Sequence, residues 1–120
     1  MKNKFKKVYS LVHQAGYRNY TVKDLINLKG KKKLTQINVV SAEEAAAAEA
    51  AGIDMIICGV DQLKEIRKAA PNTFLTCGIK YTEHASKESM MKKVFELLEV
   101  GVDSIHCLLY TSDAADDVEC

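Results

Sequence analysis

One phrase occurs twice and restricts the fold more than any other feature of the chain. G-I-D-M-I-I-C over 52–58 and G-V-D-S-I-H-C over 101–107 each set a glycine, a hydrophobe and an aspartate before an apolar run. A helix that ends on glycine and passes through a two-residue turn into a continuous apolar strand is the spelling of an αβ unit. Its recurrence predicts a parallel α/β layout with right-handed crossovers. Turns of this kind lie at the amino-terminal ends of the strands, where residues serve stability, so Asp54 and Asp103 read as structural turn residues.

The text between the two phrases fits the same plan. Thr21 and Asp24 spell a helix start that runs to Gly30. The run 34–40 is strand-like, and Ser41 with Glu44 forms a capping-box pattern ahead of an alanine-rich helix that stops at Gly52. After the strand 53–58, the segment 61–70 reads as a helix with Leu63, Ile66 and Ala70 on one side. A strand follows over 73–79, then a polar loop over 80–86. The helix 87–100 carries an apolar stripe of Met90, Met91, Val94, Leu97 and Leu98. Residues 1–20 are weakly patterned and read as a helical or loose leader.

Composition narrows the function classes. The chain has 120 residues, enough for one domain, with 48% apolar and 28% charged residues and a formal net charge of +1. That balance gives no global signal for nucleic acid, and the basic runs at 1–7 and 29–33 read as solvated faces. No apolar run approaches the roughly 20 residues of a membrane span, and no secretory signal is spelled, which predicts a cytoplasmic protein. Cys58, Cys77, Cys107 and Cys120 are widely spaced with no C-x-x-C pair, so they read as reduced thiols and not as a zinc site.

Three residues follow strands at the carboxyl side, where α/β enzymes keep their chemistry. Asp61 reads either as the N-cap of the helix after it or as a metal ligand. Lys80, with Tyr81, reads as a contact for an anionic substrate or as an exposed loop lysine. His106 is a site residue or a packed strand end. His13 and His84 read as solvent residues. No Gly-rich phosphate loop, Ser/His/Asp set or paired catalytic carboxylates are spelled.

The segments 21–34, 41–59, 70–79 and 97–106 together resemble the amino-terminal part of the ketopantoate hydroxymethyltransferase (3-methyl-2-oxobutanoate hydroxymethyltransferase) family, nearest to a shorter, divergent branch. The phrase S-A-E-E-A-A-A-A-E-A-A-G-I-D-M-I-I-C-G is the most specific part. The resemblance implies a (β/α)8 TIM barrel of the phosphoenolpyruvate/pyruvate-binding superfamily, of which about four strands fall in this chain. It also implies a homo-oligomer. The activity implied is transfer of a hydroxymethyl group from methylenetetrahydrofolate to the small oxo acid 2-oxoisovalerate, in pantothenate biosynthesis, with Mg2+ as Lewis acid. Asp61 is then the metal candidate, and Lys80 and His106 are the substrate-binding candidates.

The family's metal ligands are not kept in register. Its Gly-Asp-Ser after the second strand is Gly59, Val60, Asp61 and Gln62 here, its Asp-Leu-Pro is Gly78, Ile79 and Lys80, and its fourth-strand lysine falls on His106. The alternatives are another reaction of the same superfamily, lyase or mutase in type, or a non-catalytic barrel homologue. C-L-L-Y-T-S-D-A-A-D over 107–116 resembles the translation of a transposase-based sequencing adapter. On that reading residues 107–120 are a non-native tail, 21–106 are a partial barrel of an interrupted protein, and the fragment itself is inactive.

Overall fold

A computed structural model describes residues 5–80 and 86–108, with side-chain surroundings through His106. Tyr81, His84, Cys120 and the segment 109–120 lie outside the described residues.

The chain opens with a hairpin. β1 (Lys6–Tyr9) and β2 (Ala15–Arg18) run antiparallel, with Lys6 opposite Arg18 and Tyr9 opposite Ala15. In the connecting turn His13 takes φ 62 and donates its amide to the Ser10 carbonyl, and the Ser10 hydroxyl accepts from the Gln14 amide. His13 is exposed, as expected. The expected helical or loose segment is therefore a strand pair. Its only buried residue is an arginine, Arg18, so there was no apolar period to read.

From Thr21 onward helices and strands alternate. α1 (Val22–Leu28), β3 (Gln36–Asn38), α2 (Ala42–Ala50) and β4 (Met55–Gly59) come first. α3 (Leu63–Ala69), β5 (Phe74–Lys80), α4 (Lys87–Val100) and β6 (Ser104–Leu108) complete the order. The four later strands form one parallel sheet in sequential order β3-β4-β5-β6. β3 is shorter than the apolar run suggested, because only Gln36 to Asn38 pair with β4.

The caps are those the spelling predicts. The Thr21 hydroxyl accepts from the Asp24 amide at 3.2 Å, and the Asp24 carboxylate accepts from the Thr21 amide at 2.9 Å. The Ser41 hydroxyl accepts from the Glu44 amide, but Glu44 itself reaches back to the Val40 amide, one residue before the cap. Ser86 caps α4 in the same manner, and Gly101 ends it at φ 105, where a Cβ is strained.

Residues paired across parallel strands share a face, and the face alternates along each strand. Ile56, Cys58, Leu75, Cys77 and Ile79 lie on one face and are essentially inaccessible to solvent. Ala45 and Ala48 from α2, Leu63 and Ile66 from α3, and Leu97 from α4 belong to the same core cluster. Alanine lets α2 approach this layer closely. The opposite face carries Asn38, Ile57, Thr76, Ser104 and His106, which are half-buried or exposed, together with Phe74 and Gly78, which are buried. Coverage on both faces, expected from the continuous apolar runs, is thus fuller on the helix side than on the other among the described residues.

The amino-terminal edge of the sheet is stitched by side chains. Asp54 accepts from the Thr35 amide and hydroxyl and from the Tyr20 hydroxyl. Asn19 donates to the Asp54 carbonyl at 2.8 Å and accepts from the Phe74 amide at 2.9 Å. Glu49 accepts from the Asn72 amide and the Thr73 hydroxyl. Asp103 accepts from the Leu75 amide at 2.9 Å, from Arg18 Nε at 3.0 Å and from Arg67 Nη1 at 3.1 Å. These bonds satisfy backbone groups where the parallel ladder begins, groups that cost free energy if left dry. Both aspartates singled out by the repeated phrase are turn residues with structural partners, as expected.

The Asp103 cluster is the most buried charge in the fold. Arg18 and Arg67 are almost fully buried, and apart from Arg67 Nε their remaining donors go to carbonyls of Tyr17, Pro71, Gly101, Ala70 and Thr73. Burial pushes Arg67 down to about 10, and the neighbouring Arg18 charge adds to the fall, while Asp103 opposes it. Two cations against one carboxylate hold together only because that carboxylate is present. Asp103→Ala strands both guanidiniums, and urea denaturation should register a loss of about 3–5 kcal/mol.

Asp54 supplies a pH test. Burial pushes its carboxyl up, but the Thr35 and Tyr20 hydrogen bonds and the Lys32 charge together hold it below the ordinary 3.8. A depressed carboxylate stabilises the fold above its unfolded pKa, and that share is lost as pH falls through the folded value. Denaturation midpoints taken downward from pH 6 should fall more steeply through this acid range for the wild type than for Asp54→Asn. Parallel curves would refute the assignment.

Candidate functional site

Strand register decides which of the three candidates share a surface. Gly59 pairs with Gly78, Gly78 pairs with His106, and Lys80 pairs with Leu108. Gly59, Gly78 and His106 therefore form one row across β4, β5 and β6 on the face away from the helices. Lys80 stands two residues beyond Gly78 on the same face. A diagonal neighbour of this kind on adjacent strands lies within reach of a long side chain. Lys80 and His106 are both exposed. The structure brings these two together at the carboxyl edge of the sheet.

The glycines matter for space. Gly59 and Gly78 put no side chain on the row beside His106; Gly59 is half-buried and Gly78 is buried. A Cβ at Gly59 would meet Gln62 Oε1 at 3.2 Å, so the Gln62 amide leans over Gly59. Asn38, Thr76 and Ser104 supply further polar side chains on the same face. Sequence reasoning missed Gln62 and these three as site residues. Strand parity was the signal that would have found Asn38, Thr76 and Ser104, since each stands an even number of residues from Gly59, Gly78 or His106 on its own strand or register row; Gln62, three residues past Gly59 and off the strand, had no such signal.

Asp61 is elsewhere. It lies in the turn between β4 and α3, exposed, and lines an open groove of about 880 Å3 between α3 and α4 together with Lys64, Lys93 and Glu96. It is also not the N-cap that the sequence suggested. The cap position is Gln62, which makes no side-chain capping bond, and the first turn closes instead through the Leu63 amide to the Val60 carbonyl. The helix begins one residue later than D-Q-L-K spells, because Val60 and Asp61 are used in the turn.

A cleft of about 840 Å3 lies between the hairpin and the carboxyl end of α4, lined by Arg18, Arg67 and Asp103. It sits at the amino-terminal edge, and nearly all of its charged groups are spent on one another. The exception is Arg67 Nε, a buried side-chain nitrogen without a hydrogen-bond partner. Among the described residues no group of three or more His, Cys, Asp or Glu side chains is placed to hold a metal ion. None of the described helices is long and apolar enough to cross a membrane.

The arrangement is an α/β parallel sheet with an exposed lysine and an exposed histidine on the face that carries Gly59 and Gly78. Chemically this suits a small anion whose second polar group meets the imidazole.

Comparison with known proteins adds two relatives. The chain is 26% identical to 3-methyl-2-oxobutanoate hydroxymethyltransferase of Kosmotoga olearia, over 70% of this chain and 40% of that protein. It is 23% identical to the enzyme of the same name from Thermosipho melanesiensis, over 71% of this chain and 40% of that protein. The chain thus spans about two-fifths of the length of the curated relatives it matches. No family model matches, and no solved structure matches. What these matches support is a distant likeness to that transferase family.

Asp61 provides the test of the local geometry. Because it makes no cap, Asp61→Asn and Asp61→Ala should each change stability by less than about 0.5 kcal/mol in urea denaturation. A working cap would cost about 1 kcal/mol on truncation to alanine.

Proposed function

We propose that this chain forms the first four β/α units of a (β/α)8 barrel enzyme of the ketopantoate hydroxymethyltransferase type. Its substrate is then a small 2-oxo acid, 2-oxoisovalerate, which receives a hydroxymethyl group from methylenetetrahydrofolate. The observation that carries the reading is the sequential parallel order β3-β4-β5-β6, in a chain that matches the two relatives over most of its length. A barrel closes by continuing that order, and its chemistry sits at the carboxyl edge.

On this reading Lys80 holds the substrate carboxylate as a point charge, and His106 meets the carbonyl oxygen or a nearby proton. Gly59, half-buried and without a side chain, lets the oxo acid approach backbone there, and Gln62 borders it. The reaction adds the enolate carbon of the oxo acid to the one-carbon unit, forming a carbon–carbon bond.

Magnesium is part of the expectation, but the described residues do not make a site for it. Asp61 is one carboxylate facing the outer groove, whereas the ion takes near-octahedral oxygen coordination. Asp61 is the single carboxylate among the candidate residues that would serve as a ligand. A homo-oligomer and a cytoplasmic location belong to the same proposal. The position of Asp61, away from Lys80 and His106, favours a second reading, in which the barrel runs different chemistry on a similar oxo acid.

The assay is product formation by the full-length protein with 2-oxoisovalerate and methylenetetrahydrofolate, with and without Mg2+. Lys80→Ala should lower kcat/KM for the oxo acid through KM by about ten- to a hundredfold, as for a lost charge-assisted hydrogen bond of about 1.5–3 kcal/mol. Turnover of wild type with unchanged kinetics in Lys80→Ala would remove Lys80 from the site. Absence of turnover with retained oxo-acid binding would favour the second reading.

A further inference from the structure

Behind the proposed site, on the helix-covered face, two thiols stand side by side. Cys58 on β4 and Cys77 on β5 are direct register partners in parallel strands, so both side chains project from the same face. Both are free and almost completely buried. Parallel strands run about 4.8 Å apart, which falls inside the Cα separation that a disulfide spans. We propose that Cys58 and Cys77 form a reversible dithiol–disulfide pair, oxidised by a small hydroperoxide.

The surroundings favour this over two inert core cysteines. The Cys77 thiol donates to the Gly78 carbonyl at 3.9 Å. The proximity of the two thiols lowers Cys58 and, with burial, raises Cys77; the Arg67 charge also favours the Cys58 thiolate. Cys58 is therefore the attacking sulfur and Cys77 the resolving one. Leu63 and Leu97 line the α3–α4 groove and also belong to the buried cluster that holds both cysteines, so they separate the groove from that cluster.

The chemistry balances without another reactant. The Cys58 thiolate attacks one peroxide oxygen, breaking the O–O bond and releasing hydroxide, which is protonated to water. The resulting sulfenic acid is attacked by the Cys77 sulfur, forming S–S and expelling a second water. Two thiols lose two electrons and two protons, and hydrogen peroxide becomes two waters. A bond between directly opposed parallel strands departs from relaxed disulfide geometry, so it belongs to the readily reduced class. This inference stands apart from the proposed function, because the thiols lie on the other face of the sheet.

The test treats the purified chain with hydrogen peroxide, alkylates residual thiols in denaturant, and maps the digest by mass. The expected product is one linked peptide pair holding Cys58 and Cys77, lighter by two hydrogens and dominant over links to Cys107 or Cys120. Dithiothreitol should restore both thiols to alkylation, and Cys77→Ser should abolish the link. Retention of both thiols after oxidation would overturn the proposal. So would the same mixture of links with and without denaturant present during oxidation, since that is chance pairing in an unfolded chain.

Discussion

The rest of the fold depends on one carboxylate held between two buried guanidiniums. Asp103 ends the turn after α4, yet its oxygens reach the hairpin through Arg18, α3 through Arg67 and β5 through the Leu75 amide. Three pieces of chain that are distant in sequence meet on it. Two cations at one anion would be unfavourable in a dry interior, but carbonyl oxygens take up the other donors. The arrangement is specific before it is stabilising: no other register of β5 against β6 brings those partners together.

The sheet then divides labour between its faces. One face is an apolar layer under three helices, with Cys58 and Cys77 at its centre. The other keeps polar side chains, two glycines and the proposed Lys80–His106 pair. Parity makes the division automatic, since a residue shifted by one position changes sides. Asp61 falls in the turn, beyond the regular strand, and so escapes that rule.

Much of this was legible in the residues. The repeated glycine–hydrophobe–aspartate phrase located two αβ turns, and Asp54 and Asp103 serve as turn residues there. Thr21 with Asp24, and Gly101, announced their helix ends because caps are local chemistry. The hairpin was not legible, because short strands with one buried arginine carry no apolar alternation. Nothing in the sequence marked Arg18 and Arg67 as buried; their burial is set by a partner 85 and 36 residues away. The N-cap assignment of Asp61 failed for a related reason, since the turn leaving β4 uses one more residue than helix spelling assumes. Of the candidates, Lys80 stands at the end of β5 as read, whereas His106 is the middle residue of β6, and their shared face required the register.

The span of the Arg18–Asp103 ion pair has a kinetic meaning. Each strand of the parallel sheet docks beside its predecessor, so the layers can assemble in the order the ribosome delivers them. Arg18 of the hairpin has no carboxylate partner until the turn before β6 emerges, 85 residues later. Closing so long a loop costs entropy that the intervening sheet must offset. The latch is thus set after β3, β4 and β5 are made: the hairpin waits, tethered but unlocked, for the turn before β6 to admit it.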